Sequence, residues 1–226
     1  MARFRRLSVW LFLGLALCLV PSAGAETHVT SILADGFDFP VGKPDGEGYY
    51  IYRGYWPNGH LGEDWNGRGG GNTDLGDPVY SVGHGVVVYS EDYRKGWGNV
   101  VIVRHAYRDP AGKIRYVDSL YGHLHKRAVR LHQKVRKGQL IGTIGTAHGR
   151  YTAHLHFEMR HELRLGMDRT LWPKDNRCYY SPKKFIAAHR RLTGASRQYP
   201  IPVNTFRGQV EAAASGGAAA GRRRTQ

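Results

Sequence analysis

Cysteine is nearly absent from this chain of 226 residues, which holds only Cys18 and Cys178. A disulfide-stapled scaffold is thereby excluded. Acidic residues are also scarce, at 18 Asp and Glu against 33 Lys and Arg, so the formal charge is +15 at pH 7 with histidine neutral. The longest apolar run, residues 7–20 (LSVWLFLGLALCLV), covers 14 positions, short of the roughly 20 that a membrane span needs. No internal repeat is present, and the Gly-rich loop at 67–71 lacks the Gly-Lys-Ser/Thr ending of a phosphate cradle. Against these absences stand 41% hydrophobic residues, 14 Tyr, 5 Trp and 30 Gly. Such a chain is too apolar and aromatic to be disordered throughout, and its length suits one domain with tails.

The amino terminus points to a compartment. Arg3, Arg5 and Arg6 form a basic head, residues 7–20 an apolar core, and Ala23, Gly24 and Ala25 supply small residues for cleavage. Residues 1–25 therefore read as a secretory signal peptide, which leaves no stable membrane span once removed. Leu17 is too bulky to precede a lipid-bearing Cys18. Removal takes three arginines and no acid, leaving 30 basic and 18 acidic residues. The exported protein is thus itself basic, which suits an acidic partner outside the cytoplasm, in the periplasm or the cell wall, rather than nucleic acid. Oligomeric state is not readable from these features.

Residues 26–34 read as a short leader, 35–195 as the single domain and 196–226 as a flexible basic tail rich in Ala and Gly, closed by Arg222, Arg223 and Arg224. Within the domain the apolar period is near two. Strands are expected at 85–89 (GVVVY), 99–105 (NVVIVRH), 114–117 (IRYV) with its end near Ser119, and 139–143 (QLIGT), with a hairpin turn at 109–112. One helix is signalled, capped by Ser181, opened by Pro182 and ended by Gly194, with Phe185, Ile186, His189 and Leu192 on one face. The fold class is therefore all-β dominated, an antiparallel sheet with a short C-terminal helix.

The chemistry concentrates in histidines. Across residues 153–160 (AHLHFEMR) the odd positions are apolar and the even ones polar, so on a strand Leu155, Phe157 and Met159 face the core. His154 and His156 then share the other face, about 7 Å apart along the backbone. Taken alone, such a pair is as well read as two surface histidines. Upstream, His60 and Asp64 have the spacing of metal ligands, though also that of a surface ion pair. Joined to His156 they make two imidazoles and one carboxylate, a set that leaves a fourth tetrahedral position open for water, as catalytic sites do. His123 adds a third element, in the segment 121–125 (YGHLH).

The residues His60, Asp64, His123, His154 and His156, in this order and roughly this spacing, resemble the lysostaphin-type (M23, LytM-like) zinc metallopeptidases of bacterial cell walls. The likeness extends over about 35–186 and includes 76–80 (GDPVY), 97–99 (WGN) and 138–142 (GQLIG). It implies a lysostaphin-type β domain holding one zinc ion through His60, Asp64 and His156, with His123 and His154 as catalytic histidines that do not bind the metal. It also implies an endopeptidase whose substrate is the peptide part of peptidoglycan, cut at D-amino-acid cross-links or glycine bridges. The alternative is a catalytically silent module of the same fold that binds the wall or activates other hydrolases.

Several residues stay ambiguous by sequence. Glu158 faces the same side as His156 and reads equally as its support or as an exposed carboxylate. Tyr55, Trp56 and Tyr121 suit either a peptide groove or simple packing. His125 and His132 read as solvated, while His84, His105, His148 and His161 read as structural or superficial.

Overall fold

The computed structural model describes residues 27–167, 177–193 and 196–206. The expected signal peptide, the end of the basic tail and Gly194 lie outside the described residues. In chain order the strands are β1 (His28–Ile32), β2 (Tyr49–Arg53), β3 (Glu63–Gly67), β4 (Pro78–Tyr80), β5 (Gly85–Arg94), β6 (Gly98–Arg108) and β7 (Ile114–Leu124). They continue with β8 (Lys126–Arg127), β9 (Lys134–Val135), β10 (Leu140–Thr143), β11 (Leu155–Arg160) and β12 (Tyr179–Tyr180), then helix α1 (Pro182–Ala188) and β13 (Gln198–Pro202). The main sheet is antiparallel, in the order β2-β3-β11-β7-β6-β5-β9, with β12 beside the end of β11. A small sheet, β4-β10-β8, packs against it.

The alternation that defines a strand divides the main sheet into two buried faces. On one, Val87, Val101, Val103, Tyr121 and Phe157 meet Val79 and Ile141 from the small sheet, Ile144 just after it, and Phe185 and Ile186 from α1. On the other, Val86, Val88, Val100, Ile102 and Leu120 are covered by Val29, Leu33, Ile201, Val203 and Phe206. Covering both faces explains why four consecutive residues of β6, Val100 to Val103, are all buried.

The second cover changes the limits expected from sequence. Residues 28–32, expected in the short leader, and 198–202, expected in the flexible tail, form β1 and β13, which pair with each other, from His28 opposite Pro202 to Ile32 opposite Gln198. The ribbon is fixed by Arg104, which forms a two-point ion pair with Asp118 at 2.7 Å and donates from Nη1 to the Pro202 carbonyl and Thr205 Oγ1. The apolar underside of β5, β6 and β7 needs a lid, and the β1–β13 ribbon with the residues that follow each strand provides it. The helix is also shorter than its apolar spacing implied, ending at Ala188 with His189 at the C-cap. Ser181 caps it by position but makes no side-chain cap bond. The strand expected near Ser119 runs on to Leu124, which carries His123 into the sheet.

Candidate functional site

The register of the sheet assembles the site. His156 of β11 stands opposite Asp64 of β3 on one side and opposite Gly122 of β7 on the other. Leu155, Phe157 and Met159 face inward, fully buried, as their alternation required. On β7 the same alternation would send the His123 side chain to the opposite face from Gly122. His123 instead takes a left-handed backbone, φ 61°, and its ring comes to 5.5 Å from that of His156 and 4.8 Å from that of His154. His154 sits just before β11, bridged to Gly145. His60 lies on an irregular loop rather than a helix or strand, bridged to Trp56. Close approach there demands glycine at 62, because a Cβ at that position would stand 2.7 Å from the Phe157 carbonyl oxygen and 2.9 Å from the His156 ring.

All five candidate residues thus converge. Asp64 Oδ1 lies 2.8 Å from His156 Nδ1, 3.2 Å from His60 Nε2 and 3.8 Å from His154 Nε2, and His60 Nε2 lies 3.2 Å from His156 Nδ1. The outward nitrogen of each ring is occupied. His60 Nδ1 is 2.9 Å from the Gly54 carbonyl, His123 Nδ1 3.2 Å from that of Trp97, and His154 Nδ1 2.8 Å from that of Thr152. His156 Nε2 is 2.9 Å from Glu158 Oε1. Carbonyls and carboxylates only accept, so these outward nitrogens carry the protons. In the neutral rings the inward nitrogens are then bare lone pairs.

The inward nitrogens and Asp64 Oδ1 crowd several acceptors around one buried point, which is costly unless a proton or a metal cation sits there. Burial alone would push the His156 pKa down, but its bonds to Asp64 and Glu158 outweigh this and raise it to about 9. Burial likewise pushes the Asp64 carboxyl upward, and the two histidines beside it pull it far below the usual carboxylate range. His123, shut away from solvent and near His156, is lowered to about 3 and stays neutral. The pocket therefore attracts positive charge to the point shared by His60, Asp64 and His156, whose donor atoms all lie within 4.8 Å of one another.

The donor set suits zinc in kind and size. Two nitrogens and one oxygen at zinc's bond lengths of about 2.0–2.2 Å span tetrahedral edges of about 3.4 Å, and the triangle of 2.8, 3.2 and 3.2 Å is only slightly tighter.

Glu158, undecided by sequence, is buried and does more than touch His156. Its second oxygen accepts from Arg160 Nε at 2.6 Å, and Arg160 Nη1 donates to the Gly166 carbonyl. Although burial would raise the Glu158 carboxyl, Arg160 and His156 hold it down at about 2. Tyr121 is not a groove residue. It is fully buried, and its hydroxyl accepts from the Val82 N–H at 3.0 Å. Trp56 is partly exposed and lies beside the His60 ring, 5.5 Å away.

The site opens into a groove of about 960 Å³ whose aromatic lining comes from Tyr50, Tyr52, Trp97 and Tyr151. Sequence reasoning did not single these out. The alternation within β2 (YYIYR) was the one signal that could have found Tyr50 and Tyr52. His125 is exposed, as expected, whereas His132, expected to be solvated, is half-buried with its Nε2 3.2 Å from Asn204 Oδ1.

A β domain with a convergent histidine–carboxylate centre defines a candidate metal-dependent hydrolase. Residues 60–168 match the profile of peptidase family M23, and this segment of the chain belongs to that family. It is 33% identical over 142 residues to the lipoprotein NlpD/LppB homolog of Pseudomonas aeruginosa, which covers 63% of this chain and 41% of that protein. It is 32% identical over 114 residues to the murein hydrolase activator NlpD of Escherichia coli, covering 47% and 28%. To the peptidoglycan DD-endopeptidase ShyC of Vibrio cholerae it is 39% identical over 85 residues, covering 37% and 17%. The chain spans less than half the length of each of these relatives. Among the described residues, no helix is long and apolar enough to cross a membrane.

Proposed function

We propose that this protein is an exported zinc endopeptidase that hydrolyses amide bonds in the peptide part of peptidoglycan. The observation that carries the reading is the direction of the four imidazoles: each spends its outward N–H on a protein acceptor and turns its other nitrogen toward Asp64 Oδ1 or its neighbours. His60 Nε2, His156 Nδ1 and Asp64 Oδ1 would hold the ion. Zinc bound there supplies the Lewis acidity that makes water nucleophilic at neutral pH.

The remaining residues follow from their geometry. Glu158 and Gly54 fix the ring orientations of His156 and His60, so that each presents the required nitrogen. His123 is locked as a neutral acceptor at Nε2 by its bond to Trp97, and His154 is locked in the same tautomer by Thr152. With Nε2 as acceptor, one aligns the attacking water and takes its proton; the other stabilises charge on the carbonyl oxygen only in its protonated form, in which Nε2–H donates to that oxygen as the amide opens.

The second reading is a catalytically silent module that activates other wall enzymes, and the similarity to an activator of murein hydrolases favours it. A complete ligand triad favours the peptidase. One assay separates them: the purified protein is expected to carry about one zinc per chain, to solubilise peptidoglycan, and to stop when the metal is chelated. Zinc content without turnover would favour the module.

A further inference from the structure

The groove that crosses the metal centre is basic on both walls. Arg53, the last residue of β2, is the register partner of Asp64, so it flanks the centre on the β2–β3 side of β11. Lys95 and Arg150 flank it on the opposite side, in the turn between β5 and β6 and the turn before β11. These two turns meet at Gly96, where a Cβ would stand 3.3 Å from Arg150 Nε and from the Tyr151 hydroxyl. Both turns are held in left-handed backbone, with φ 56° and 36° at Arg94 and Lys95 and 49° and 62° at Ala147 and His148. His148 Nε2 ties them together through Asp92 Oδ1 at 2.9 Å.

None of the three cations has a carboxylate partner among the described residues. Arg53 lies over the Trp56 ring, Lys95 over Tyr93 and Arg150 over Tyr151. The nearby acids are committed elsewhere: Asp64 to the histidines, Glu158 to His156 and Arg160, and Asp92 to His148 and the Arg94 N–H. Positive charge facing a groove from two sides, supported on aromatic rings and without internal neutralisation, is an unfilled complement for anions.

Resting on the peptidase reading, we infer that Arg53 on one wall and Lys95 with Arg150 on the other select peptides bearing free carboxylates on both sides of the scissile amide. Such a substrate is a carboxylate-rich stem cross-link; a neutral glycine bridge makes no use of these groups. The three residues are specificity determinants, since none of them reaches the hydrolytic centre.

The test measures binding and turnover separately on the zinc-loaded protein. Calorimetry compares a cross-linked D,L-peptide with free carboxylates, the same peptide with its carboxylates amidated, and pentaglycine. The free acid is expected to bind about 30-fold more tightly than the amide, at about threefold for each of the three exposed cations. That preference should shrink at about 0.5 M salt, disappear in the R53Q/K95Q/R150Q variant and persist in R53K/R150K. Equal affinity for acid and amide, or a preference that survives the triple substitution, overturns the inference. A preference for the acid with no turnover of any peptide defeats the peptidase reading and leaves the selectivity standing. Turnover of acid and amide at equal rates with equal affinity does the reverse.

Discussion

Two buried polar clusters are built around the same sheet, and only one of them is built like a site. His105 is fully buried, yet both of its ring nitrogens have protein partners, the His84 carbonyl at 2.9 Å and Ser119 Oγ at 2.7 Å. Its neighbour Arg104 is likewise matched to Asp118, Pro202, Thr205 and Leu163. In the His60–His123–His154–His156 cluster the outer nitrogens are matched and the inner ones converge on one carboxylate, Asp64. Burial of a histidine therefore does not distinguish structure from chemistry. The direction in which its unsatisfied lone pair points does.

The contrast breaks most sharply at the metal ligands. His156→Ala should reduce bound zinc from one per chain to near none and bring turnover to background, read by elemental analysis and muropeptide release. His123→Gln should keep the zinc while turnover drops about a hundredfold or more; an unchanged rate would remove His123 from the mechanism. Glu158→Gln should weaken zinc affinity by about 10- to 100-fold, measured by competition with a chelating dye, because His156 loses the carboxylate that orients it.

On the structural side, the effects should appear in stability and leave the metal alone. Arg104→Gln strands Asp118 and frees the β1–β13 ribbon, so denaturant unfolding should show a loss of about 3–5 kcal/mol with zinc stoichiometry unchanged. Burial lowers the His105 pKa to about 4. The unfolded chain, titrating near 6.5, then binds this proton first, so the contribution of His105 is full above pH 6.5 and declines as pH falls toward 4. That contribution is at most about 3 kcal/mol, and His105→Gln should flatten the stability profile in this window. A slope identical in the variant would mean that other groups carry it.

What the sequence disclosed follows the same division. Alternation in 153–160 is a local property, so it announced that Leu155, Phe157 and Met159 pack inward and that His154 and His156 face away. The pairing of His156 with Asp64 and Gly122 is a matter of register between strands distant in the chain, visible beforehand only through the family resemblance. His123 runs against alternation altogether, because a left-handed φ turns it onto the site face. The β1–β13 ribbon was missed for a related reason. Its apolar residues are too few and scattered to announce a strand, and their burial comes from the uncovered side of β5 and β6 rather than from any pattern of their own. Glu158 could not be decided because its partner, Arg160, lies on the same face two residues on, where sequence shows only two adjacent charges.

The most direct test is an anomalous difference map at the zinc absorption edge from crystals of the metal-loaded protein. One peak is expected, about 2.0–2.2 Å from His60 Nε2, His156 Nδ1 and Asp64 Oδ1, with His123 and His154 outside bonding distance. Zinc bound elsewhere, or no peak among those three atoms, would contradict the account.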